Sequence, residues 1–304
     1  MTNFENRPLL RKAVEDTIAL SEEPHSNSSP STIGSFQRVP GGCISTAARV
    51  TLVDGRQYFV KSSHNDLEIY EAEHNGLDAI RATQTLTVPK VIGMGRTQCG
   101  YSFLVLEAIK VGCTTANSNA EFGRSLAQMH RKTQTNRFGY SQSNFIGSTV
   151  QLNTWGNDWQ TFFVENRLRP QIKMAQNQAL TTRLFDQYAD QLLSRMGDLL
   201  NDSSSPVLIH GDLWAGNVIV STDGQPVLID PAVSYSERES EFGMTTLFGE
   251  FGPEFYEAYN ECWPLMDGWQ ERVKIYQLYH LINHLNLFGH SYFEPCMNIL
   301  QQFA

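Results

Sequence analysis

The chain has 304 residues and an ordinary globular composition, with 41% hydrophobic, 11% aromatic and 18% charged residues. Its net charge of −9 argues against nucleic-acid binding, because phosphate backbones are bound by clustered Lys and Arg. No apolar run reaches the roughly 18 residues of a transmembrane helix, and the N-terminus lacks the features of a signal peptide. The five cysteines are scattered along the chain, which favours reduced thiols. We therefore expect a cytoplasmic protein that binds no membrane.

The first third of the sequence predicts a small sheet with two helices. Asp54-Gly55 is a hairpin turn signal between two strand-like segments, and residues 22–31 are typical of a loop. We expect Gly93-Met94-Gly95 to form a hairpin turn, since its glycines do not fit a dinucleotide-binding motif. The predicted elements are a helix over 8–20, strands over 48–53 and 57–61, a helix over 66–83, and strands over 88–92 and 101–107.

Beyond residue 108 most segments have helical periodicity, apart from a hairpin at Asp223-Gly224. The sequence therefore predicts an α+β protein of two lobes. Residues 1–107 would form a small antiparallel β-sheet lobe with one key helix, and 108–304 a larger, mainly helical lobe. Ligand sites commonly lie at such junctions.

The run Gly41-Gly42-Cys43-Ile44-Ser45 precedes a predicted strand. Glycine lets the backbone approach a ligand closely, so main-chain N–H groups here can donate to phosphate oxygens. A plain turn is the alternative interpretation of the same residues. If the loop binds phosphates, Cys43 is a candidate for oxidation-sensitive control.

Lys61 ends the strand that follows this loop, and alone it indicates only a solvated lysine. Glu73, however, falls on the apolar stripe of the next helix, four residues after Ile69. A carboxylate that faces a core is costly unless it is paired. We therefore predict a Lys61–Glu73 ion pair that directs the ammonium at the phosphates of a nucleotide, and we prefer Glu73 to Glu71 for this role.

The chain passes between the predicted lobes at Glu107-Ala108-Ile109, after an apolar strand. A backbone N–H and C=O at this point can bind the edge of an adenine ring. The alternative is an ordinary buried strand, since the argument is positional.

The strongest signal is the pair Asp212 and Asn217, five residues apart, followed by Asp230 at the end of a short apolar strand. This spacing is typical of the catalytic loop of kinase-like phosphotransferases. Asp212 would accept the proton of an attacking hydroxyl. Asn217 and Asp230 offer the hard oxygen ligands that Mg²⁺ prefers beside ATP, and His210 would brace the loop.

Trp214 lies two residues after the predicted base and offers an apolar face to a sugar, although a core tryptophan is an alternative. His280 and His284 are spaced like metal ligands, but no Glu follows His280 and a third ligand is unspecified. We instead interpret this helix as facing the cleft. His284 and Asn286 are therefore predicted, with Trp214, to contact the substrate.

Five segments of the sequence form a distinctive set: His210-Gly211-Asp212-Leu213-Trp214-Ala215-Gly216-Asn217, Gly41–Ser45, Asn157–Phe163, Asp230-Pro231-Ala232 and Leu285–Gly289. They resemble the fructosamine kinase (ketosamine 3-kinase) family of the aminoglycoside-phosphotransferase-like, protein-kinase-like superfamily. The resemblance covers about residues 33–300. It implies a kinase-like two-lobed fold and ATP- and Mg²⁺-dependent phosphorylation of a sugar hydroxyl on a ketosamine, in the repair of glycated proteins. One departure is Glu241, where the family often has Asp.

Two other interpretations remain open from the sequence. Another small-molecule kinase of the same superfamily would act on an aminoglycoside, choline or another alcohol. A nucleotide-binding pseudokinase would serve as an interaction module, although every catalytic element is retained. The sequence is compatible with a monomer or a homodimer.

Overall fold

The computed structural model describes residues 7–21, 31–39, 45–200, 205–249 and 251–304. Within these ranges the chain forms an N-terminal sheet with two helices, followed by a mainly helical part. This architecture confirms the predicted α+β class. None of the helices described combines the length and apolar character that crossing a bilayer requires.

The N-terminal sheet has five antiparallel strands in the order β1-β2-β3-β5-β4. The hairpin predicted at Asp54-Gly55 joins β2 to β3, and Gly55 adopts the positive φ of +92° that such a turn requires. The elements of this part are α1 (Pro8–Leu20), β1 (Ile33–Val39), β2 (Thr46–Leu52), β3 (Gln57–His64), α2 (Leu67–Thr83), β4 (Val91–Arg96) and β5 (Tyr101–Glu107).

The two helices cover opposite faces of this sheet, because strand side chains alternate between its faces. Helix α1 buries a stripe at Leu10, Val14 and Ile18 against the face that includes Phe103 and Val105. Helix α2 covers the opposite face, which includes Leu104 and Leu106 of β5. Its buried stripe against that face consists of Tyr70, Leu77 and Ile80. The sheet is thus rigidly held on both sides.

The turn predicted at Gly93-Met94-Gly95 is wrong, because both glycines lie inside β4. A Cβ atom on Gly93 would lie 2.5 Å from the Thr17 side chain of α1, and one on Gly95 would lie 3.0 Å from the Phe103 ring. These glycines therefore allow close packing rather than a reversal of the chain.

The C-terminal part packs its helices around short antiparallel strand pairs, β6–β7, β8–β11 and β9–β10. Its strands are β6 (Asn144–Ile146), β7 (Thr149–Gln151), β8 (Val207–Ile209), β9 (Val218–Val220), β10 (Pro226–Leu228) and β11 (Ser234–Ser236). Its helices are α3 (Ala116–Lys132), α4 (Trp159–Phe163), α5 (Arg169–Asn177), α6 (Arg183–Ser194), α7 (Met196–Leu199), α8 (Phe242–Thr245), α9 (Pro253–Cys262), α10 (Trp269–Phe288) and α11 (Phe293–Phe303), with a π-helical turn at Val164–Leu168.

The two parts meet where β5 ends. Four residues after Glu107, Val111 forms an isolated bridge with Ser221, the residue that follows β9. A second link joins Thr87, in the loop before β4, to β10, since Leu228 N donates to Thr87 O at 2.9 Å. Both links hold the β9–β10 hairpin, and Asp230 after it, next to the N-terminal sheet.

Candidate active site

The loop between β8 and β9 holds the predicted base. The Nδ2 of Asn217 donates to the backbone oxygen of Asp212 at 2.8 Å and to its carboxylate at 3.1 Å. Gly211 has a φ of +82°, and a Cβ there would lie 2.2 Å from the carbonyl oxygen of Ala232. The loop thus needs glycine next to Asp212, and the spacing of five residues brings the two polar side chains together.

His210 braces this loop as predicted. Its Nδ1 accepts from Asp212 N at 3.3 Å, so its Nε2 must carry the proton that is donated to Ile229 O at 2.9 Å. Complete burial lowers the pKa of His210, which keeps the ring neutral. His210 thereby ties the loop that carries Asp212 to the segment that carries Asp230.

Glu241 is a supporting residue whose contacts the sequence did not predict. It is buried and accepts from the backbone N–H groups of His210, at 2.5 Å, and Gly211, at 2.9 Å. His130 lies 3.6 Å from the carboxylate, and its Nδ1 is 2.9 Å from the hydroxyl of Tyr259. The sequence showed only that residue 241 is Glu where the resembling family often has Asp. That difference does not predict that residue 241 contacts the loop.

Lys61 projects from β3 and contacts two carboxylates. Its Nζ lies 2.8 Å from Glu73 of α2 and also contacts Asp230. Lys61 and Glu73 are only 9% and 8% exposed. Burial alone would lower the pKa of Lys61, but the charges of Asp230 and Glu73 raise it above its usual value, so the ammonium stays protonated.

Asp212 and Asp230 differ in their proton affinity. Burial, with a further contribution from the charge of Asp230, raises the pKa of Asp212 to about 7. Burial would also raise the pKa of Asp230, but Lys61 holds it below its ordinary value. One carboxylate is therefore suited to accept a proton near neutral pH, while the other stays ionised.

Asn217 and Asp230 fit the requirements of a hard cation. Because the Nδ2 of Asn217 is engaged by Asp212, its Oδ1 is the atom left to bind a metal. Ile229 N donates to Asn217 O at 3.0 Å, which holds the two predicted ligands side by side. Asp230 has a φ of +56°, a conformation that Asp tolerates better than most residues, and its side chain is 40% exposed.

The structure describes some of the residues predicted to bind the nucleotide. Gly41, Gly42, Cys43 and Ile44 lie outside the described residues. Ser45 accepts a hydrogen bond from Tyr70 of α2 at 3.0 Å. Glu107 is exposed at the end of β5, where its backbone N–H donates to Lys90 O at 2.9 Å, and half-buried Ala108 and Ile109 follow it.

Trp214 and His284, two of the three residues predicted to contact the substrate, lie close together in the structure. Phe248 packs between them: the centre of its ring lies 6.5 Å from that of Trp214 and 4.5 Å from that of His284. Asn286 lies two residues further along α10 and therefore faces a different direction. It is buried and donates to Gln171 of α5 at 2.7 Å, so its role in substrate binding stays a prediction without a contact at this cluster.

Comparisons with known proteins agree with this geometry. The sequence model of the family described as "Fructosamine kinase" matches residues 16–304. A probable ketoamine kinase of Synechocystis is 38% identical over 90% of this chain and 91% of its own length. The chloroplastic protein-ribulosamine 3-kinase of Arabidopsis thaliana is 37% identical over 100% of this chain and 93% of its own. A crystal structure from Haemophilus somnus, described as a "putative fructosamine-3-kinase", superposes with a TM-score of 0.84 at 26% identity, covering 95% of this chain and 96% of that one. On the extent of these matches, the chain belongs to the fructosamine kinase family.

Proposed function

We propose that the protein transfers the γ-phosphoryl group of ATP to a sugar hydroxyl of a ketosamine. The observation that carries this proposal is the arrangement of four side chains from three segments. Asp212 and Asn217 share the loop between β8 and β9, Asp230 follows β10, and Lys61 comes from β3, yet the four lie close together. Membership of the fructosamine kinase family supports the class of acceptor. The associated role is the repair of glycated proteins or amines.

In this proposal each side chain has one task. Asp212 accepts the proton of the attacking hydroxyl, because its pKa, raised to about 7, suits proton transfer near neutral pH. Lys61, oriented by Glu73, binds nucleotide phosphates. Asn217 and Asp230 hold Mg²⁺, which neutralises the charge on the transferring phosphoryl group when it is bound.

The nucleotide would lie between the two parts of the chain. Gly41–Ser45 would cover the phosphates, and the backbone of Glu107–Ile109 would bind the adenine edge. The short crossing from Glu107 to Val111 supports a boundary between lobes 1–107 and 108–304. Nucleotide and metal would thus be held by both lobes at once.

Trp214 and His284 would contact the acceptor, and a third contact from Asn286 stays a prediction. The names of the relatives favour ketoamines or ribulosamines as the acceptor class. The described cysteines Cys99, Cys113, Cys262 and Cys296 are free thiols, which supports a reducing compartment such as the cytoplasm. A monomer or a homodimer is compatible with this function.

The test is ADP release with Mg-ATP and, in turn, ribuloselysine, fructoselysine, choline and kanamycin. We expect turnover of a ketosamine only, and a loss of about 100- to 10,000-fold in Asp212→Ala with ATP binding retained. Unchanged turnover in Asp212→Ala would refute the assignment of the base. Turnover of choline or kanamycin instead would overturn the acceptor, and ATP binding without any turnover would indicate a pseudokinase.

A further inference from the structure

A small cavity of about 20 Å³ lies beside the catalytic loop. Gly211, which directly precedes Asp212, forms part of its wall, and so do Ser236 of β11 and His280 of α10. The volume suffices for a water molecule or for one small polar group of a ligand. The side chains of Trp159, Phe163 and Tyr276 provide an apolar side to the same cavity.

Arg167, from the π-helical turn, also lines the cavity and is only 4% exposed. Its guanidinium donates to neutral oxygens, including Asn153 Oδ1 at 2.8 Å and Ser234 Oγ at 3.1 Å. Within the described part of the chain it forms no ion pair with a carboxylate. Burial lowers the pKa of Arg167 to about 10, which leaves it charged at neutral pH. The cavity therefore disfavours a cationic group.

His280 supplies a polar atom that lacks a partner. It is 5% exposed, and its Nδ1 has no hydrogen bond to any described residue. Burial lowers the pKa of His280 to about 3, so the ring is neutral, with one nitrogen donating and the other accepting. A buried polar atom without a partner is unfavourable, and a ligand hydroxyl, which both donates and accepts, can satisfy it.

The rest of the polar wall is held in place by its own hydrogen bonds. Tyr279 donates to Gln151 Oε1 at 2.8 Å, and Gln151 in turn donates to Asn144 and to Ala232 O, both at 2.9 Å. Burial raises the pKa of Tyr279 to about 12 against the opposing charge of Arg167, so the phenol stays protonated, and it lines the cavity together with Gly211, the residue before the base. A fixed wall near the base suits selective recognition of a neutral polar group.

Resting on the function proposed above, we propose that this cavity receives the hydroxyl-bearing end of the ketosamine's sugar chain, remote from its amine. The amine of a ketosamine is cationic, so it points away from Arg167. The sugar end, which is neutral and polar, satisfies His280. The hydroxyl to be phosphorylated then lies between the cavity and the amine, within reach of Asp212. The cavity thus limits the length of sugar that the enzyme accepts.

The experiment narrows the cavity with Ser236→Val and measures kcat and KM for ketosamines of one amine with four-, five- and six-carbon sugars. We expect KM for the longest sugar turned over by the wild type to rise about 10- to 200-fold. KM for the shortest sugar should change less than about threefold, and KM for ATP should stay constant. The control is Ser102→Val, an equally buried serine of β5 outside the cavity, which should not alter the preference for length.

A uniform change across the three sugar lengths, or no change, would overturn the subsite. If Ser236→Val does not fold, as judged by its melting curve, Ser236→Thr makes the same test with a smaller change. A wild-type enzyme that turns over no ketosamine would refute the proposed function itself, and the subsite with it. If the wild type turns over ketosamines but the Ser236 variants keep the same preference for sugar length, the subsite alone is refuted.

Discussion

Asp212 is a carboxylate whose ionised form the fold destabilises. Burial raises its pKa to about 7, and the neighbouring charge of Asp230 adds to the effect. The unfolded chain would release this proton near pH 4. Between these two values the folded state binds more protons, so the free energy of unfolding falls as the pH rises through this window.

Asp212→Asn removes that cost, so we expect the variant to be more stable than the wild type at pH 8, in the absence of divalent metal. A pKa unit corresponds to about 1.4 kcal/mol, and since the side chain is partly exposed we expect about 2 kcal/mol. The advantage should shrink as the pH is lowered towards 4. Chemical denaturation at several pH values measures it, with the exposed Asp190→Asn of α6 as the control. A constant difference at all pH values would contradict this account.

The ion pair of Lys61 and Glu73 shows how far single residues were predictable. The helical periodicity of residues 66–83 placed Glu73 on a buried stripe, and the cost of burying a carboxylate then required a cation. The structure places the two groups 2.8 Å apart. The additional contact of Lys61 with Asp230 joins residues 169 positions apart, a separation that no local pattern encodes.

At the scale of elements, the position of α2 depends on one close approach. A Cβ on Gly76 would lie 2.9 Å from Cγ and 3.3 Å from Cβ of Pro231, which follows Asp230. The proline ring is stiff, so it cannot yield as a flexible side chain would. Helix α2, and with it Glu73 one turn earlier, is therefore held directly against the segment that carries Asp230.

Gly76→Ala should consequently move α2 away from Pro231 and disturb the contact of Glu73 with Lys61. Helix propensity alone would stabilise the variant by about 1 kcal/mol. We nevertheless expect KM for ATP to rise roughly three- to tenfold, because small displacements of positioning groups are costly. Steady-state kinetics measure this. The matched control is Gly197→Ala in α7, where nothing lies within 4 Å and kinetics should not change. Equal kinetics in the two variants would show that the close approach does not position Glu73.

At the scale of the whole molecule, Lys61 and Asp230 connect the sheet to the helical part. Lys61 lies on β3, whereas Asp230 follows the β9–β10 hairpin. In the proposed function the same two side chains bind nucleotide phosphate and metal. Ligand binding would therefore replace a contact between the two parts with contacts to a shared ligand, and it should stabilise the complete chain.

Mg²⁺ and ATP together should raise the melting temperature by roughly 5 °C at a hundredfold excess over Kd. Because Asp230 is a proposed metal ligand, Asp230→Asn should lose the part of this shift that depends on Mg²⁺. Differential scanning calorimetry with ATP, in the presence and absence of Mg²⁺, separates the shift caused by ATP alone from the shift that requires Mg²⁺. Asp190→Asn is the control and should retain both shifts of the melting temperature. An undiminished effect of Mg²⁺ in Asp230→Asn would place the metal elsewhere.

The sequence by itself determined the α+β class, the helix over 8–20, the hairpin at Asp54-Gly55 and the spacing of Asp212 and Asn217, because each of these depends on local periodicity, turn chemistry or a short motif. It did not determine that Gly93 and Gly95 lie within a strand, since that depends on the packing of α1 and Phe103. Nor did it predict the contacts of Glu241 with the catalytic loop or the burial of Arg167. Those features arise only when distant segments pack together, since burial and hydrogen bonding between them are properties of the tertiary structure.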